Sequence, residues 1–284
     1  MFDWRRSESL PLGVDVGPDF VSIVAPAASR HGFVVRATMT REIPPVATDH
    51  HERKIAETIR EIVTRLGVQE RRCILAAPAS ETIARTFRVP PGMGRREAER
   101  AAALEADTFV DWPASERLVA LDPIPAMNDR MLLSITRASA VERLVTIARA
   151  GGIKPVAVDV SACAWRRAIA EADAVLDCTR DRAELVIFGE PLGVSHLFPP
   201  RLIDERLASQ VRTALLDARR DGVNDVQRLA ILGSRFRYET LEELLRDDGY
   251  SVGPVVIGGI EAPSWTLAYG LASWSIAPRG LATR

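Results

Sequence analysis

"LPLGVDVGPDF", Leu10 to Phe20, decides how the rest of the chain is read. Its apolar, β-branched run reads as a short strand, and Gly17-Pro18-Asp19 as the tight turn that ends it. An acid, Asp15, stands near the strand's end. The next runs, "FVSIVAP" and "FVVRATMT", are strand-like as well, with turn residues at Pro18-Asp19 and from Ser29 to Gly32. Together they predict a three-stranded antiparallel meander. A helix follows, because Ile55, Ile59, Ile62, Val63 and Leu66 recur at helical spacing and Gly67 stands where a C-terminal cap belongs. "CILAAP" and "TIARTFRVP" then read as strands.

From Gly94 the composition shifts to "GRREAERAAALEADTFVDWP", a helix rich in alanine and charge that Pro113 closes. Its acids and arginines lie at spacings that pair along a solvated face. Strands "RLVALDPIP" and "RMLLSITR" follow, and then a helix that Ser139 and Glu142 open as a capping box. Its apolar positions are Val141, Leu144, Val145 and Ala148, and it stops at Gly151-Gly152. "KPVAVDV" and a helix from Ser161 to about Ala172 come next. Strands "AVLDCT", "ELVIFGE" and "GVSHLFP" then repeat the early plan, and the first of them ends on Asp177 as the opening strand of the chain ends on Asp15. A helix from Leu202 to Arg219, the strand "RLAILGS", a helix around Leu241, Leu244 and Leu245, and a short helix from Trp265 to Trp274 complete the chain. Meander, helix and further strands, given twice, with one acid in each half, fits two ribonuclease-H-like lobes and many other α/β proteins as well, so the pattern gives the fold class only.

Composition removes several function classes. The 37 basic and 38 acidic side chains nearly cancel, so bulk charge points to neither nucleic acid nor an anionic membrane. Cys73, Cys163 and Cys178 are odd in number and widely spaced, as reduced core thiols are, and no histidine has ligand-type neighbours at metal-binding spacing. Neither Lys54 nor Lys154 follows a glycine loop, which excludes a Walker-type nucleotide site. "LAAPASET" lacks the two glycines of a hydrolase nucleophile turn. No apolar run is long enough to cross a membrane and the N-terminus lacks a signal-peptide core, so the expected location is the cytoplasm.

Five segments in this order, "LGVDVGPDFVSIV", "LAAPASETIARTFRVPPGM", "ALEADTFVDWP", "AGGIKPVAVDVSACAWRRAI" and "APSWTLAYGLA", resemble the PilM family of type IV pilus assembly platforms and its GspL-like relatives in type II secretion. The resemblance implies an α/β, actin-like (ribonuclease-H-like) two-lobed fold. The first lobe spans 10–150 with a small inserted subdomain at about 90–137. A shortened second lobe spans 151–284, and its C-terminal helix returns to the first. It also implies a role: a cytoplasmic scaffold held at the inner membrane by the N-terminal tail of a PilN-like bitopic protein, with a pilus motor ATPase as a further partner. In the family the tail lies in a groove between the first lobe and the insert. Carried to this chain, the groove positions are Arg85, Phe87, Arg95, Arg96, Leu104 and Phe109.

Actin-like proteins cradle ATP phosphates with turn amides and position Mg²⁺ waters with carboxylates. Gly13, Asp15 and Gly17 match the first turn, Asp177 and Thr179 fall on the second, and Gly233 falls on the adenosine side. Asp15 and Asp177 are the metal-side acids if Mg-ATP binds. The departures all weaken the site. Pro18 removes a donor, Asp19 adds a negative charge, Thr179 replaces a glycine, Ala183 stands near the position of a threonine, and a glycine pair is reduced to Gly233 alone. Arg180 or Arg182 offers an alternative anion contact. The expectation is a degenerate nucleotide cleft with no cofactor or weakly bound ATP, with an active actin-like ATPase, or the cytoplasmic domain of a GspL-like type II secretion platform protein, as the alternatives.

Overall fold

The computed structural model describes residues 10–29, 32–44, 48–123, 130–169, 171–179, 183–188, 195–199, 204–220, 226–233, 235–257, 259–261 and 264–275. In chain order the elements begin with β1 (Leu12–Val16), β2 (Phe20–Ser29), β3 (Gly32–Glu42), α1 (Thr48–Leu66) and β4 (Arg72–Ala77). Next come β5 (Thr82–Arg88), α2 (Arg95–Glu105), β6 (Arg117–Pro123), β7 (Arg130–Arg137), α3 (Ala138–Ala150), β8 (Lys154–Val160) and α4 (Ser161–Ala168). Then follow β9 (Ala174–Asp177), β10 (Glu184–Ile187), β11 (Ser195–Leu197), α5 (Asp204–Arg220), β12 (Arg228–Leu232) and α6 (Arg235–Arg246). The last are β13 (Ser251–Pro254), β14 (Val256–Ile257), β15 (Ile260–Glu261) and α7 (Thr266–Ala272).

Two compact units emerge, one of residues 1–76, 142–168 and 264–284, the other of 77–141 and 169–263. The first is built on a five-stranded sheet of order β3-β2-β1-β4-β8. β1 and β2 pair antiparallel, as do β2 and β3, whereas β1 and β4 run parallel. The expected meander is therefore present. The apolar stripe of α1, Ile55, Ile59, Ile62 and Val63, packs on one sheet face with Leu144, Ile147 and Ala148 of α3. On the other face α7 lies across β1 and β2, where Ala268 and Ala272 meet Val24 and the Tyr269 ring lies 5.0 Å from that of Phe33. Two glycines permit that packing. A Cβ on Gly13 would stand 1.9 Å from the Ala268 carbonyl oxygen, and one on Gly270 would stand 1.9 Å from that of Ala164 in α4. Backbone approaches this close leave no room for a side chain.

The second unit holds a five-stranded sheet of order β11-β10-β9-β12-β13 and a three-stranded antiparallel sheet of order β5-β7-β6. β9 is antiparallel to β10 and parallel to β12. The two five-stranded sheets thus share one plan, and the internal echo read from the sequence is realised as topology. Leu207, Val211 and Leu215 of α5 and Leu241 and Leu245 of α6 cover one face of the second large sheet. One face of the small sheet, with Phe87, Leu121, Leu133 and Ile135, is covered by Ala98 and Ala102 of α2.

Three details differ from the expectations. β8, expected to open the second lobe, is the edge strand of the first sheet, and its Lys154 N–H donates to the Arg71 carbonyl at 2.6 Å. Gly151-Gly152 therefore ends a helix and returns the chain to the same sheet. The small sheet begins at Thr82, before the composition shift, because β5 pairs along its whole length with β7. Ser139 does not cap α3: pairing of β7 runs through Arg137, so the helix begins at Ala138 and encloses Ser139 in its first turn.

Candidate functional site

The two acidic turns belong to different units, and each is built from its own surroundings. Asp15 is almost fully buried on β1, where its cross-strand neighbour is Ser22, with no exposure at all. Facing side chains on paired strands share one sheet face. The Ser22 hydroxyl lies 2.8 Å from that of Thr40 on β3 and donates to the Ser264 carbonyl at 3.2 Å. The Ser264 hydroxyl in turn donates to Thr40 at 2.9 Å. A hydroxyl row therefore runs from beside Asp15 to the residues that lead into α7. At the turn itself, the Gly17 N–H donates to the Phe20 carbonyl at 2.9 Å, and the Asp19 carbonyl accepts from the Ile43 N–H at 2.6 Å. Pro18 has no N–H to offer. The Phe20 ring lies so close that a Cβ on Gly17 would stand 2.8 Å from it. The glycine of this turn is spent on closing a hairpin under an aromatic ring.

The second turn closes on itself too. Asp177 is buried at the end of β9, and its Oδ1 accepts the Thr179 backbone N–H at 2.9 Å and the Thr179 hydroxyl at 2.5 Å. Directly opposite on β10 stands Glu184, also buried. Two carboxyl groups thus occupy facing positions at the place where a phosphate turn gathers donors. Gly233 follows β12, and a Cβ there would meet that of Cys178 at 3.3 Å, while the Cys178 N–H donates to the Leu232 carbonyl at 2.7 Å. Arg180 and Arg182 lie outside the described residues. Among the described residues no group of three His, Cys, Asp or Glu side chains could hold a metal ion.

Of the six candidate partner-binding residues, the structure gathers some and separates others. Phe87 is buried in the core beneath α2. Arg85, exposed on β5, holds its guanidinium 5.7 Å from the centre of the Phe109 ring, within cation–π range. Arg95 pairs with Glu99 at 3.0 Å in the first turns of α2, and Arg96 is exposed beside it. Leu104, nine residues further along the helix, is 72% exposed, and this outward leucine is an apolar contact offered to solvent. Arg85 has a second neighbour: burial first, and then the Arg85 charge, hold His196 of β11 below its ordinary pKa, with Asp217 opposing. Burial, helped by Glu70, pushes the Cys73 thiol up to about 12, which fits the core thiol expected there.

Sequence reasoning missed Ser22 and Glu184. Each is a single polar residue in an otherwise apolar strand, "FVSIV" and "ELVIF", and that interruption was the available signal. A recess of about 340 Å³ between α1 and α3, lined by Glu57, Arg60, Thr146 and Ala150 among others, includes none of the candidate residues.

Comparison with known proteins agrees with the geometry. The sequence model of the family "Type IV pilus assembly protein PilM" matches residues 13–188, more than half of the chain. Among solved structures, the PilM–PilN type IV pilus biogenesis complex matches with a TM-score of 0.74 at 18% identity, over 96% of this chain and 100% of that one. The cytoplasmic domain of EpsL, an inner-membrane component of the Vibrio cholerae type II secretion system, gives 0.53 at 13% identity, over 79% and 82%. A Bacteroides thetaiotaomicron protein of unknown function with an actin-like ATPase fold gives 0.54 at 12%, over 95% and 98%. No curated protein matches the chain. The fold is actin-like, and the chain belongs to the PilM family of type IV pilus assembly proteins.

Proposed function

We propose that this platform protein is a scaffold which binds the cytoplasmic N-terminal tail of a PilN-like inner-membrane protein and does so without nucleotide. The family assignment supports the role, and the name of the structurally similar complex supplies the partner class. No helix among the described residues is long and apolar enough to cross a membrane, so a bitopic partner accounts for attachment to one. The tail docks on the α2 region and the small sheet, and a pilus motor ATPase is a further partner on the same reasoning.

One observation carries the nucleotide half of this reading: both turns that hold phosphates in an actin-like ATPase are closed by their own hydrogen bonds. Gly17 donates to Phe20, Asp177 accepts twice from Thr179, and Glu184 adds a second carboxyl beside it. A polyphosphate needs converging donors and little fixed negative charge, and these turns supply the reverse. Isothermal titration with Mg-ATP tests it. The expected result is a dissociation constant weaker than about 1 mM, equivalent to less than about 4 kcal/mol of binding. Micromolar affinity would establish the active-ATPase reading instead.

A further inference from the structure

In the first unit, β4 and β8 are sheet neighbours, and each begins just after a helix has ended: α1 stops at Leu66 before β4, and α3 stops at Ala150 before β8. Hydrogen bonds tie these starts and stops into one corner. The Lys154 N–H donates to the Arg71 carbonyl at 2.6 Å, the Arg60 guanidinium of α1 donates to the Ala150 carbonyl at 2.5 Å, and the Gly152 N–H donates to the Arg149 carbonyl at 3.0 Å. The corner carries Arg60, Arg65, Arg71, Arg72, Arg149 and Lys154, of which only Arg71 is not exposed. Glu61 pairs with Arg65 at 3.0 Å and Glu70 with Arg72 at 2.9 Å. Among the described residues no acid pairs with Arg60, Arg71, Arg149 or Lys154. The chain as a whole has a net charge of −1, so composition hides this local excess.

Cations commonly answer the partial negative charge at a helix C-terminus, and Arg65 and Arg149 do stand in the last turns of α1 and α3. Helix ends do not account for Arg72 and Lys154, which open strands. Nor do neutral carbonyls discharge the guanidinium groups of Arg60 and Arg71, which donate to Ala150 and to Val68. Two residues beyond Lys154, on the same side of β8, Val156 is 54% exposed. A bare valine beside a cluster of cations matches the headgroup layer of a bilayer, where the charges meet phosphates and the apolar tip reaches the acyl boundary.

We propose that this corner rests on the anionic surface of the membrane that the bitopic partner spans, with Arg60, Arg149 and Lys154 against lipid phosphates. The choice of a bilayer among polyanions rests on Val156 and on the partner reading given above. Each cation close to an anionic surface strengthens binding about fivefold. Such a hold is weak alone, and it becomes effective because the partner's tail keeps the chain at high local concentration beside the bilayer. β1 runs parallel to β4, so the Gly17 turn lies at the opposite end of the sheet from this contact.

The test is co-sedimentation of the full chain, without its partner, with vesicles containing phosphatidylglycerol and with vesicles of phosphatidylcholine alone. Binding is expected to the first only, and raising the salt from about 0.1 M to about 1 M should abolish it. The double variant Arg149→Gln with Lys154→Gln alters exposed side chains and should bind at least about tenfold more weakly, its fold intact by circular dichroism. Arg100→Gln with Arg206→Gln, two exposed arginines outside the corner, should bind within twofold of the unsubstituted chain. Equal binding to both kinds of vesicle, or a corner variant within twofold of the unsubstituted chain, would overturn the proposal. So would displacement by inorganic phosphate at matched ionic strength, which marks a site for a free anion, or a short DNA duplex held more tightly than the vesicles through Arg149 and Lys154. Each of these outcomes leaves the partner reading standing, because that reading is tested separately by titration with the tail peptide.

Discussion

Gly13 looked like part of a phosphate cradle, and the structure gives it a different task. Its Cα faces the backbone of α7, with a virtual Cβ inside the Ala268 carbonyl. Gly13→Ala should therefore destabilise the protein by about 3 kcal/mol, the upper end for an overpacked site, seen as a lowered melting temperature, since the obstacle is main chain and cannot rotate away. A cradle residue would cost nucleotide affinity and little stability. Asp15 raises a similar point: beside it stand Ser22 and Thr40, tied to Ser264. The sequence shows that the acid is there but cannot show this neighbourhood, because Ser264 is distant in the chain and arrives only with α7. Thr179 was legible as an obstacle. Its use of both N–H and hydroxyl on Asp177 depends on local dihedral angles that no residue pattern fixes.

At the level of elements, periodicity located the strands and helices well, because their apolar faces are regular. It misjudged connections. The Gly151-Gly152 stop resembles a lobe boundary, yet a helix followed by a strand beside β4 continues the same sheet, and β8 does so. The start of the small sheet was equally hidden, since the mixed polar and apolar run TIARTFR reads as a strand without saying which sheet it joins. Within the second unit, His196 on β11 is half-buried and near Arg85 of β5. Its folded pKa lies below the ordinary 6.5, so the unfolded chain takes up the proton first. Stability contributed by neutral His196 is present above 6.5 and is lost as pH falls from there to the folded value. Melting temperatures from about pH 7.5 to about pH 5 should fall less steeply in His196→Gln than in the unsubstituted protein. An Arg85→Gln variant should raise the histidine's pKa toward its ordinary value in an NMR titration, because the charge that depresses it has gone.

For the whole molecule, two sheets of one topology show the actin-like architecture, and each carries one buried acid, Asp15 on β1 and Asp177 on β9. The chain belongs to a family of type IV pilus assembly proteins, both acidic turns carry hydrogen bonds of their own, and Leu104 on α2 stands exposed. Family resemblance made this role legible in outline. The cross-strand row Ala84–Ser134–Ala120 was not legible, since its residues lie on three strands and meet only through the register. The central claim is a scaffold that works without nucleotide, and its most direct measurement is the affinity of the PilN-like tail peptide for this chain with and without Mg-ATP. The account predicts the same dissociation constant in both, within twofold. Binding that appears only with Mg-ATP, or strengthens tenfold with it, would contradict the account.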